Sequence, residues 1–439
     1  MTRLTITAAA AAFALCCGSP AISQAPPGNT VLVRAGNLFD SETGVMAGPR
    51  DILIRGDRII EVSANIAAPE GAAVLDLRNC SVLPGLIDAH THVLLEQRFG
   101  ESLSDAGARD QGITGDAYRV LSAVPRTASY LEAGFTTIRD LGNSGRNLDL
   151  ILRRAINDGR INGPRLYASG AGLAPAGGQM EPAPIDPHHL VDGEYRILRG
   201  PEDARQAVRE AVAAGASVIK MYPEATPQRT RLSPEEMLAI VAEARRHGLP
   251  VAAHATSDAS IREAVEAGVS SIEHGYEASD ETLRLMARKG VWLVPTDPST
   301  DMALEFTRNW RVQPSREEVE QRLQAGRDRL MRAHRFGVPI ALGSDLYAPY
   351  APGRGAASRE TLFGYVEAGL TPGQALQAAT WQAGRLLGDD ALGVVRPGAW
   401  ADLVAAPADP TIDIGTLRET RLVMKAGQVV HTVGTCSAP

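Results

Sequence analysis

The middle of the chain alternates between short apolar runs and longer segments in which apolar residues recur with helical spacing. Each apolar run is bounded by Gly, Pro or polar residues, which predicts a buried strand of a parallel sheet. Eight such strands are predicted, at 86–92, 135–140, 165–169, 217–222, 250–255, 271–274, 291–296 and 339–345. Eight parallel strands that each feed a helix are typical of one α/β fold, the TIM-type (β/α)8 barrel.

Helical patterns lie between most of these strands, and one of them has a well-defined start. Ser233 is placed as the N-cap, Pro234 takes the first helical position, and Glu236 completes a capping box. We expect this helix to run to residue 247.

The two ends of the chain carry short alternating runs that are typical of antiparallel strands. Before the barrel these runs lie at 31–34, 51–55 and 58–62, and Gly56-Asp57 predicts a tight hairpin between the last two. After a helix expected from Thr371 to about residue 387, such runs return at 392–395, 402–405 and 421–430. Since neither set can bury both of its faces alone, we expect the two ends to pair into one small β-sandwich domain. The predicted domains are 26–82 with 385–439 for the sandwich, and 83–384 for the barrel.

The first 25 residues resemble a secretory signal. Arg3 precedes an apolar run at 4–15, and small residues at 23–25 suit a signal peptidase. We therefore expect cleavage after Ala25 and an exported protein, either periplasmic or secreted. A lipoprotein anchor at Cys16 or Cys17 is the alternative, although the residues before them fit a lipobox poorly.

Composition limits the partners and metal ligands that the chain can use. A net charge of −7 over 439 residues, with no long basic run, gives no reason to propose nucleic acid as a partner. Beyond the signal segment, no apolar run reaches the roughly 20 residues of a membrane-spanning helix. Export leaves Cys80 and Cys436, which an oxidising compartment would allow to pair, although the sequence does not decide whether they meet. Without a Cys-rich pattern, we expect any metal to be held by His and carboxylates.

Polar side chains stand at the ends of predicted strands that are otherwise apolar. They are His90 and His92 on strand one, Lys220 on strand four, His254 on strand five, His274 on strand six and Asp345 on strand eight. Because active groups of a TIM-type barrel lie at the C-terminal ends of its strands, we expect all six at one rim. The alternative is a set of core residues satisfied by hydrogen bonds, but unpaired charges at such positions are costly.

These six side chains suit a binuclear metal site. Imidazole and carboxylate ligands favour zinc or a related divalent ion, and two neighbouring ions can share a hydroxide. His90, His92 and Asp345 would hold one ion, and His254 and His274 the other. Lys220 as an ammonium would repel both cations, but its neutral amine can add carbon dioxide to form a bridging carbamate. Alternatively, Lys220 is a substrate-binding cation beside a single metal.

An ordered set of motifs extends this pattern over almost the whole mature chain. The stretches lie at 84–92, 134–140, 219–220, 253–255, 272–275, 343–345, 375–380 and 398–404. Together they resemble the amidohydrolase superfamily, in particular its imidazolonepropionase-like and prolidase-like branch, which includes ochratoxin-hydrolysing amidohydrolases. The resemblance implies two divalent ions, expected to be zinc, held by all six side chains with Lys220 carbamylated. It also implies that Asp345 takes a proton as a metal-bridging hydroxide attacks the carbonyl, and then delivers it to the leaving amine.

Substrate contacts are less well defined. Relatives often carry a Gly-Gly-His-Gly-like loop after strand three, where this chain has 177–180 with Gln179 in place of the histidine. Hydrolases of this branch that act on peptides or N-acyl amino acids must hold a free carboxylate, which Tyr222 with Arg229 or Arg231 could do. The two arginines could equally be solvated loop charges. His188 and His189, in the long loop after strand three, either line the pocket or are exposed.

The sequence thus predicts an exported amide hydrolase whose small-molecule substrate is a dipeptide or an N-acyl amino acid, ochratoxin-type aromatic amides included. One alternative is an imidazolonepropionase, which opens a cyclic amide in the cytoplasmic breakdown of histidine, so export argues against it. Another is a non-catalytic assembly protein of the same superfamily, against which the six occupied ligand positions argue. Barrels of this family often associate, so a homo-oligomer is an open alternative to a monomer.

Overall fold

The computed structural model describes residues 30–180, 187–225, 229–308, 312–434 and 436. Its strands, numbered in chain order, are β1 Thr30–Asp40, β2 Val45–Met46, β3 Arg50–Arg55, β4 Arg58–Ser63, β5 Ala73–Pro84, β6 Leu86–Thr91, β7 Phe135–Asp140, β8 Arg165–Ala168, β9 Gly172–Ala174, β10 Tyr195–Ile197, β11 Ile219–Met221, β12 Val251–Ala255, β13 Ser271–His274, β14 Trp292–Val294, β15 Leu403–Ala406, β16 Leu422–Lys425 and β17 Gln428–Thr432. The expected signal segment, 1–25, lies outside the described residues.

The helices lie mostly between the parallel strands. They are α1 Leu103–Arg109, α2 Asp116–Glu132, α3 Leu148–Asn157, α4 Pro187–Glu194, α5 Pro201–Ala214, α6 Pro234–Arg246, α7 Asp258–Ala267, α8 Asp280–Lys289, α9 Thr300–Thr307, α10 Arg316–Arg335, α11 Arg354–Ala368, α12 Pro372–Ala378 and α13 Trp381–Leu386. A π-helical turn, Asp110–Thr114, leads from α1 to α2, and a 3-10 turn covers Ile414–Glu419. The capping box predicted for α6 is confirmed, with Ser233 and Glu236 each accepting the other's backbone N–H.

The prediction of a single helix from Thr371 to about residue 387 is wrong. The structure has two short helices, α12 and α13, separated at Ala379 and Thr380. The carbonyls of Ala378 and Ala379 accept the N–H groups of Leu342 and Ile87, at 2.9 and 2.7 Å. Because these carbonyls are used by neighbouring extended segments, the helix is interrupted there.

Strands from both ends of the chain share one sheet. Its order is β17-β16-β15-β5-β1-β3-β4, with the short β2 paired to β1. The pairs are antiparallel except for β1 with β5, and β15 joins the C-terminal strands to β5. The predicted hairpin is confirmed, since β3 and β4 pair around Gly56, whose φ of +60° suits a residue without a side chain.

The remaining strands are parallel and form two sheets, β6-β7-β8 and β10-β9-β11-β12-β13-β14. The N–H of Ser217, just before β11, donates to Ala168 of β8 at 2.9 Å. The segment 339–345 bonds to β14 through Ala341 and lies against β6, where Ala89 donates to Leu342 at 2.8 Å. Parallel strands therefore present their C-terminal ends on one side of the molecule.

The eighth predicted strand is only partly regular. Its one isolated bridge joins Ile340 to Leu293. Pro339 has no N–H to offer, and the backbone turns at Asp345 with a φ of +52°. The segment is extended but does not form a continuous ladder.

The terminal sheet packs on the parallel strands through a shared apolar core. Val404 and Ala406 of β15 belong to the same buried cluster as Leu86 and Phe135, which lie at the starts of β6 and β7. Burial of a large apolar side chain stabilises a fold by about 1.5–3 kcal/mol. This packing covers the N-terminal ends of β6 and β7 and leaves the C-terminal ends of the parallel strands uncovered by the terminal sheet.

Cys80 and Cys436, whose pairing the sequence left open, form a disulfide with a Cα–Cα distance of 5.5 Å. Both cysteines are buried in the core of the terminal sheet. The bond ties the segment after β17 to β5. Within the described ranges, the structure contains no helix with the length and apolar character needed to cross a bilayer.

Candidate metal centre

All six predicted metal ligands line one cavity at the C-terminal ends of the parallel strands. The cavity has a volume of about 490 Å³, and its wall contains His90, His92, Lys220, His254, His274, Asp345, Gln97, Ser102, Leu103, Ser104, Asn143, Gln179, Tyr222 and Tyr347. The structure therefore brings together the side chains that the strand pattern selects. Their role as ligands stays a prediction.

His90 and His92 direct their Nε2 atoms at each other across 3.1 Å. Nδ1 of His90 lies 2.8 Å from a carboxylate oxygen of Glu273, and Nδ1 of His92 lies 2.7 Å from the carbonyl oxygen of Gly142. Because an ionised carboxylate and a carbonyl can only accept, we assign the proton to Nδ1 in both rings. Each Nε2 then presents a lone pair. Burial, reinforced by the charge of Lys220, holds the pKa of His90 well below its usual range and keeps that ring neutral.

Asp345 brings a third electron-pair donor to the same point. Its Oδ1 lies 3.0 Å from Nε2 of His92 and 3.5 Å from Nε2 of His90, and Oδ2 lies 3.8 Å from Nδ1 of His274. The side chain is 24% exposed, so an ionised carboxylate is accessible from the cavity.

His254 and His274 stand beside this group, with ring centroids 4.5 Å apart. Nδ1 of His274 lies 2.9 Å from Oγ1 of Thr296, whose hydroxyl donates to the carbonyl of Pro295, so Nδ1 carries the proton and Nε2 is free to bind. Burial and the charge of Lys220 lower the pKa of His254 to about 3. Burial and the adjacent imidazoles hold the pKa of His274 well below its usual range. Both rings are therefore neutral and able to act as ligands.

Lys220 is 1% exposed. Its Nζ lies 5.0 Å from the centre of the Tyr222 ring, and among the described residues it has no hydrogen bond or ion pair. Burial lowers the pKa of Lys220 to about 8, against the opposing effect of Glu273 and Asp345. A substantial neutral fraction of this amine is therefore present near neutral pH, and the neutral form is the one that adds carbon dioxide.

Three wall residues other than glycine have left-handed backbones: φ is +52° at Asn143, +71° at His274 and +52° at Asp345. Side chains other than glycine rarely adopt this conformation, which costs on the order of 1–2 kcal/mol per residue. At Asp345 the backbone is held by its N–H, which donates to the carbonyl of His90 at 2.8 Å. This hydrogen bond fixes the backbone of Asp345 to His90, whose ring faces the Asp345 carboxylate.

Asp88 is a functional residue that the sequence reasoning missed. Its Oδ1 accepts the backbone N–H groups of His90 and Ser344, and its Oδ2 accepts the hydroxyls of Ser344 and Ser358. Burial raises the pKa of Asp88 to about 6 in spite of these bonds. One carboxylate thus joins the segment that carries His90 to the segment that carries Asp345.

Glu273 and Arg139 were also missed as members of the site. Both are buried, and Nη2 of Arg139 donates to Oε1 of Glu273 at 2.9 Å while the other carboxylate oxygen faces His90. Both residues lie in strands in which every residue is buried, Glu273 in β13 and Arg139 in β7. A charge at such a position needs a partner, and this requirement is the sequence signal that could have found the pair.

The predicted substrate contacts have different outcomes. Tyr222 lines the cavity, and its hydroxyl has no hydrogen-bond partner among the described residues. Arg231 pairs with Glu263 at 2.9 Å, and neither Arg229 nor Arg231 lines the cavity, so the structure does not support their predicted contact. The loop after β11 turns both arginines outward.

The loop after strand three also differs from the expectation. His189 is exposed and is absent from the cavity wall, while the side chain of His188 lies outside the described residues. Gln179, which stands where relatives often have a histidine, lines the cavity and donates to the carbonyl of Glu224. Tyr347 stacks on His92 with ring centroids 4.4 Å apart, and its hydroxyl donates to Asn143. Tyr347 and Asn143 follow the strand ends in loops, where periodicity carries no signal.

The donor set fits divalent metal ions. The two Nε2 atoms and Oδ1 of Asp345 lie within 3.5 Å of one another, and the assigned tautomers leave no proton between them. Such an arrangement is repulsive unless a cation lies among the three atoms. Imidazole nitrogen together with carboxylate oxygen is the ligand combination that zinc and similar ions accept. His274 can join the set, since one ligand atom each of His90, His274 and Asp345 lie within 4.8 Å of one another.

Solved structures with the same arrangement of strands include two hydrolases. The structure of Aspergillus niger ochratoxinase matches with a TM-score of 0.75 and 28% identity, over 92% of this chain and 96% of that one. A Xaa-Pro dipeptidase with methionine bound in its active site matches with a TM-score of 0.78 and 28% identity, over 91% and 99% of the two chains. These matches confirm an α/β fold of the TIM-barrel type.

Sequence comparison gives the same result. The chain is 34% identical over 376 residues to Aspergillus niger ochratoxinase, a match that covers 78% of this chain and 73% of that protein. It is 26% identical over 452 residues to an imidazolonepropionase of Anaeromyxobacter dehalogenans, covering 96% and 94%. The profile of the amidohydrolase family matches residues 81–432, the range that carries every side chain of the metal centre. The resemblance read from the motifs is therefore confirmed, and the chain belongs to the amidohydrolase family, as a hydrolase.

Proposed function

We propose that this protein is a binuclear, zinc-dependent hydrolase that cleaves the amide bond of a dipeptide or an N-acyl amino acid. The observation that carries the proposal is the group of proton-free donor atoms on His90, His92 and Asp345. The names of two relatives, ochratoxinase and Xaa-Pro dipeptidase, point to amide and peptide bonds. Ochratoxin-type aromatic amides belong to the proposed substrate class.

The proposal extends to the architecture and the cellular site. We place a closed (β/α)8 barrel at 83–384 and a small β-sandwich made from 26–82 and 385–439. The signal segment would be removed after Ala25, leaving an exported enzyme in the periplasm or outside the cell. The disulfide between Cys80 and Cys436 is in keeping with an oxidising compartment. The protein would act on a small molecule, as a monomer or a homo-oligomer.

The metal ions would be held by residues from five strand ends. His90, His92 and Asp345 suit one ion, His254 and His274 suit the other, and Lys220 as a carbamate supplies an anionic bridge. Divalent ions in this position polarise a carbonyl and lower the pKa of water. The buried, unpaired amine of Lys220 supports the carbamate, because its pKa of about 8 leaves a neutral fraction to react with carbon dioxide.

Asp345 is the proton carrier in this proposal. Its carboxylate faces the cavity, and beside divalent ions it would be ionised and able to accept a proton from the attacking water. The same oxygen can then deliver that proton to the nitrogen of the breaking C–N bond, which leaves as a neutral amine. The Tyr222 hydroxyl, which has no described partner, is placed to donate a hydrogen bond to the substrate carboxylate.

Two other functions are weighed against this one. An imidazolonepropionase would open a cyclic amide with the same metal chemistry, and a relative of that name supports it, but a cytoplasmic pathway does not agree with the signal segment. A non-catalytic assembly protein would not need six ligand positions occupied around one cavity.

The test measures metal content and hydrolysis on the purified mature protein. The substrate panel contains Xaa-Pro and other dipeptides, N-acyl phenylalanines including ochratoxin, and imidazolonepropionate. We expect close to two metal ions per chain and turnover of at least one linear amide. Lys220→Ala and Asp345→Asn should abolish turnover, while Lys289→Ala and Asp328→Asn, at exposed positions, should not.

Each outcome decides between the candidates. Turnover of imidazolonepropionate alone would favour the imidazolonepropionase and overturn the proposal of a linear amide substrate. Absence of bound metal and of turnover, after addition of zinc and bicarbonate, would overturn the hydrolase and favour the assembly protein.

A further inference from the structure

A second cavity, of about 430 Å³, opens directly beside the metal centre. It shares three wall residues with the first cavity: Gln97, Asp345 and Tyr347. Its other walls come from α9, α10, the loops after β13 and β14, and the segment around Asp345. The two cavities therefore meet at the carboxylate that would move the proton, and we refer to the second one as the lateral cleft.

The side of the lateral cleft that is formed by α9, α10 and the segment after Asp345 is mostly apolar. Its wall includes Met302, Phe306, Val319, Leu323, Leu346 and Tyr350. Met302, Leu346 and Tyr350 are buried and pack in one cluster with Phe99 and Phe306. Behind the wall, the rings of Phe99 and Tyr350 meet edge to face at 5.5 Å.

Few charged side chains line the lateral cleft. Among its described wall residues, only Asp345 and Arg322 are charged, and Arg322 is an exposed side chain of α10. Asp345 marks the inner end, where the C–N bond would break. A group that packs against the apolar side chains of α9 and α10 should itself be apolar, because a polar group there would lose its hydration without gaining a hydrogen bond.

The first cavity suits the other part of such a substrate. Ser102, Asn143, Gln179 and Tyr222 give it polar walls, and the Tyr222 hydroxyl has no described partner. The free carboxylate of an amino acid is accommodated there more easily than in the lateral cleft. An amide whose C–N bond lies at Asp345 would then extend its acyl group into the apolar side.

From this juxtaposition we propose that the lateral cleft is the acyl-binding site, and that the preferred substrates are amino acids N-acylated by a large apolar group. This inference rests on the proposed amide hydrolysis and specifies its substrate. Burial of one methylene is worth about fourfold in binding or kcat/KM, so a six-methylene extension of the acyl chain should raise kcat/KM by two orders of magnitude or more.

The experiment compares N-acetyl-phenylalanine with N-octanoyl-phenylalanine on the metal-loaded enzyme. The readout is the ratio of their kcat/KM values, which we expect to be about 100 or more in favour of octanoyl. Ala303→Phe fills the lateral cleft from α9 and should lower this ratio at least tenfold. The matched control is Ala325→Phe, an exposed position of α10 outside the cleft wall, which should keep the ratio of the unaltered protein.

A second variant covers the case in which Ala303→Phe does not fold. Phe306→Ala only removes atoms from the cleft wall and should lower the ratio about fivefold, with metal content unchanged. The proposal is overturned if neither variant changes the ratio, or if Ala325→Phe lowers it as much as Ala303→Phe does. Equal rates for both substrates in the unaltered protein also overturn it, while leaving amide hydrolysis intact. Failure of the proposed function itself is a different result, namely no turnover of either substrate.

Discussion

Nδ1 of His90 lies 2.8 Å from Oε2 of Glu273, and both side chains are buried. The other oxygen of the same carboxylate accepts Arg139 at 2.9 Å and Ser271 at 2.5 Å. This arrangement holds the proton of His90 on Nδ1 and keeps its Nε2 directed at His92 and Asp345, the other members of the candidate metal centre. Carboxylates that orient a histidine in this way commonly set metal affinity.

Glu273→Gln is therefore expected to weaken metal binding by about 10- to 100-fold. The amide cannot accept from His90 and Arg139 as the carboxylate does, and Arg139 loses its buried counter-charge, which should also cost about 3–5 kcal/mol of unfolding free energy. Competition of the metal with a chelator measures the affinity, at a temperature where circular dichroism shows the variant folded. Glu277→Gln, at an exposed glutamate in the loop after β13, is the control. Unchanged metal affinity in Glu273→Gln would contradict this role.

Arg354 holds two loops of the site by their backbone. Its Nη1 donates to the carbonyl of His92 at 2.7 Å, and Nη2 donates to the carbonyls of Leu95 and Tyr347 at 3.1 and 2.5 Å. Arg354→Met keeps most of the volume but leaves these buried carbonyls without donors, which should cost about 3 kcal/mol or more.

The same variant should lower kcat by about 10- to 100-fold, since His92 and Tyr347 lose their common anchor. Urea unfolding and steady-state kinetics measure the two effects, and Arg335→Met, an exposed position of α10, is the control. A loss of stability without any loss of kcat would show that Arg354 stabilises the fold but does not position the site.

The meeting of the six predicted ligands at one cavity could be predicted, because the position of each follows from a local pattern. His90, His254 and His274 end apolar runs, and a parallel strand brings its C-terminal end to the same rim as its neighbours. Asp345 was placed correctly although its strand is irregular, because the apolar run before it still sets the direction of the chain. No long-range contact had to be known for these assignments.

The supporting residues could not be predicted in this way. Asp88 accepts hydrogen bonds from Ser344 and Ser358, more than 250 positions away in the chain, and no periodicity links such residues. The sequence pattern does not predict the direction of a loop either. For this reason Arg231 was expected at the cavity, whereas it pairs with Glu263. The interruption of the helix at Ala379 depends on a hydrogen bond from the N–H of Ile87 to the carbonyl of Ala379. This is again a tertiary contact.

The disulfide between Cys80 and Cys436 closes a loop across 356 positions of the chain. Because a cross-link over a long loop removes much entropy from the unfolded chain, its loss should lower stability by about 2–4 kcal/mol. Thermal unfolding of the double variant Cys80→Ser/Cys436→Ser, and of the mature protein with and without reductant, measures this. Reductant should shift the mature protein to the melting temperature of the double variant and should not affect the double variant. Identical melting with and without reductant would show that the bond does not contribute.

Lys425 tests how the terminal sheet packs on the parallel strands. Its Nζ donates to the carbonyl of Gly163 at 2.6 Å, beside the ion pair of Arg165 and Asp402. Burial and the charge of Arg165 lower the pKa of Lys425 to about 8, while Asp402 acts in the opposite direction. Between pH 8 and about 10.4 the unfolded chain therefore binds a proton at this lysine that the folded chain does not.

The sign of the pH effect follows from this difference. Below pH 8 the buried ammonium of Lys425 destabilises the folded state. This destabilisation declines by about 2–3 kcal/mol as the pH rises towards 10.4. Lys425→Met removes the charge and the hydrogen bond to Gly163, so its stability relative to the unaltered protein should be higher at pH 7 than at pH 10. Urea unfolding at both pH values measures this change, and Lys289→Met, at an exposed position, should show none. If the difference between Lys425→Met and the unaltered protein is the same at both pH values, Lys425 is not desolvated and the sheet does not cover it.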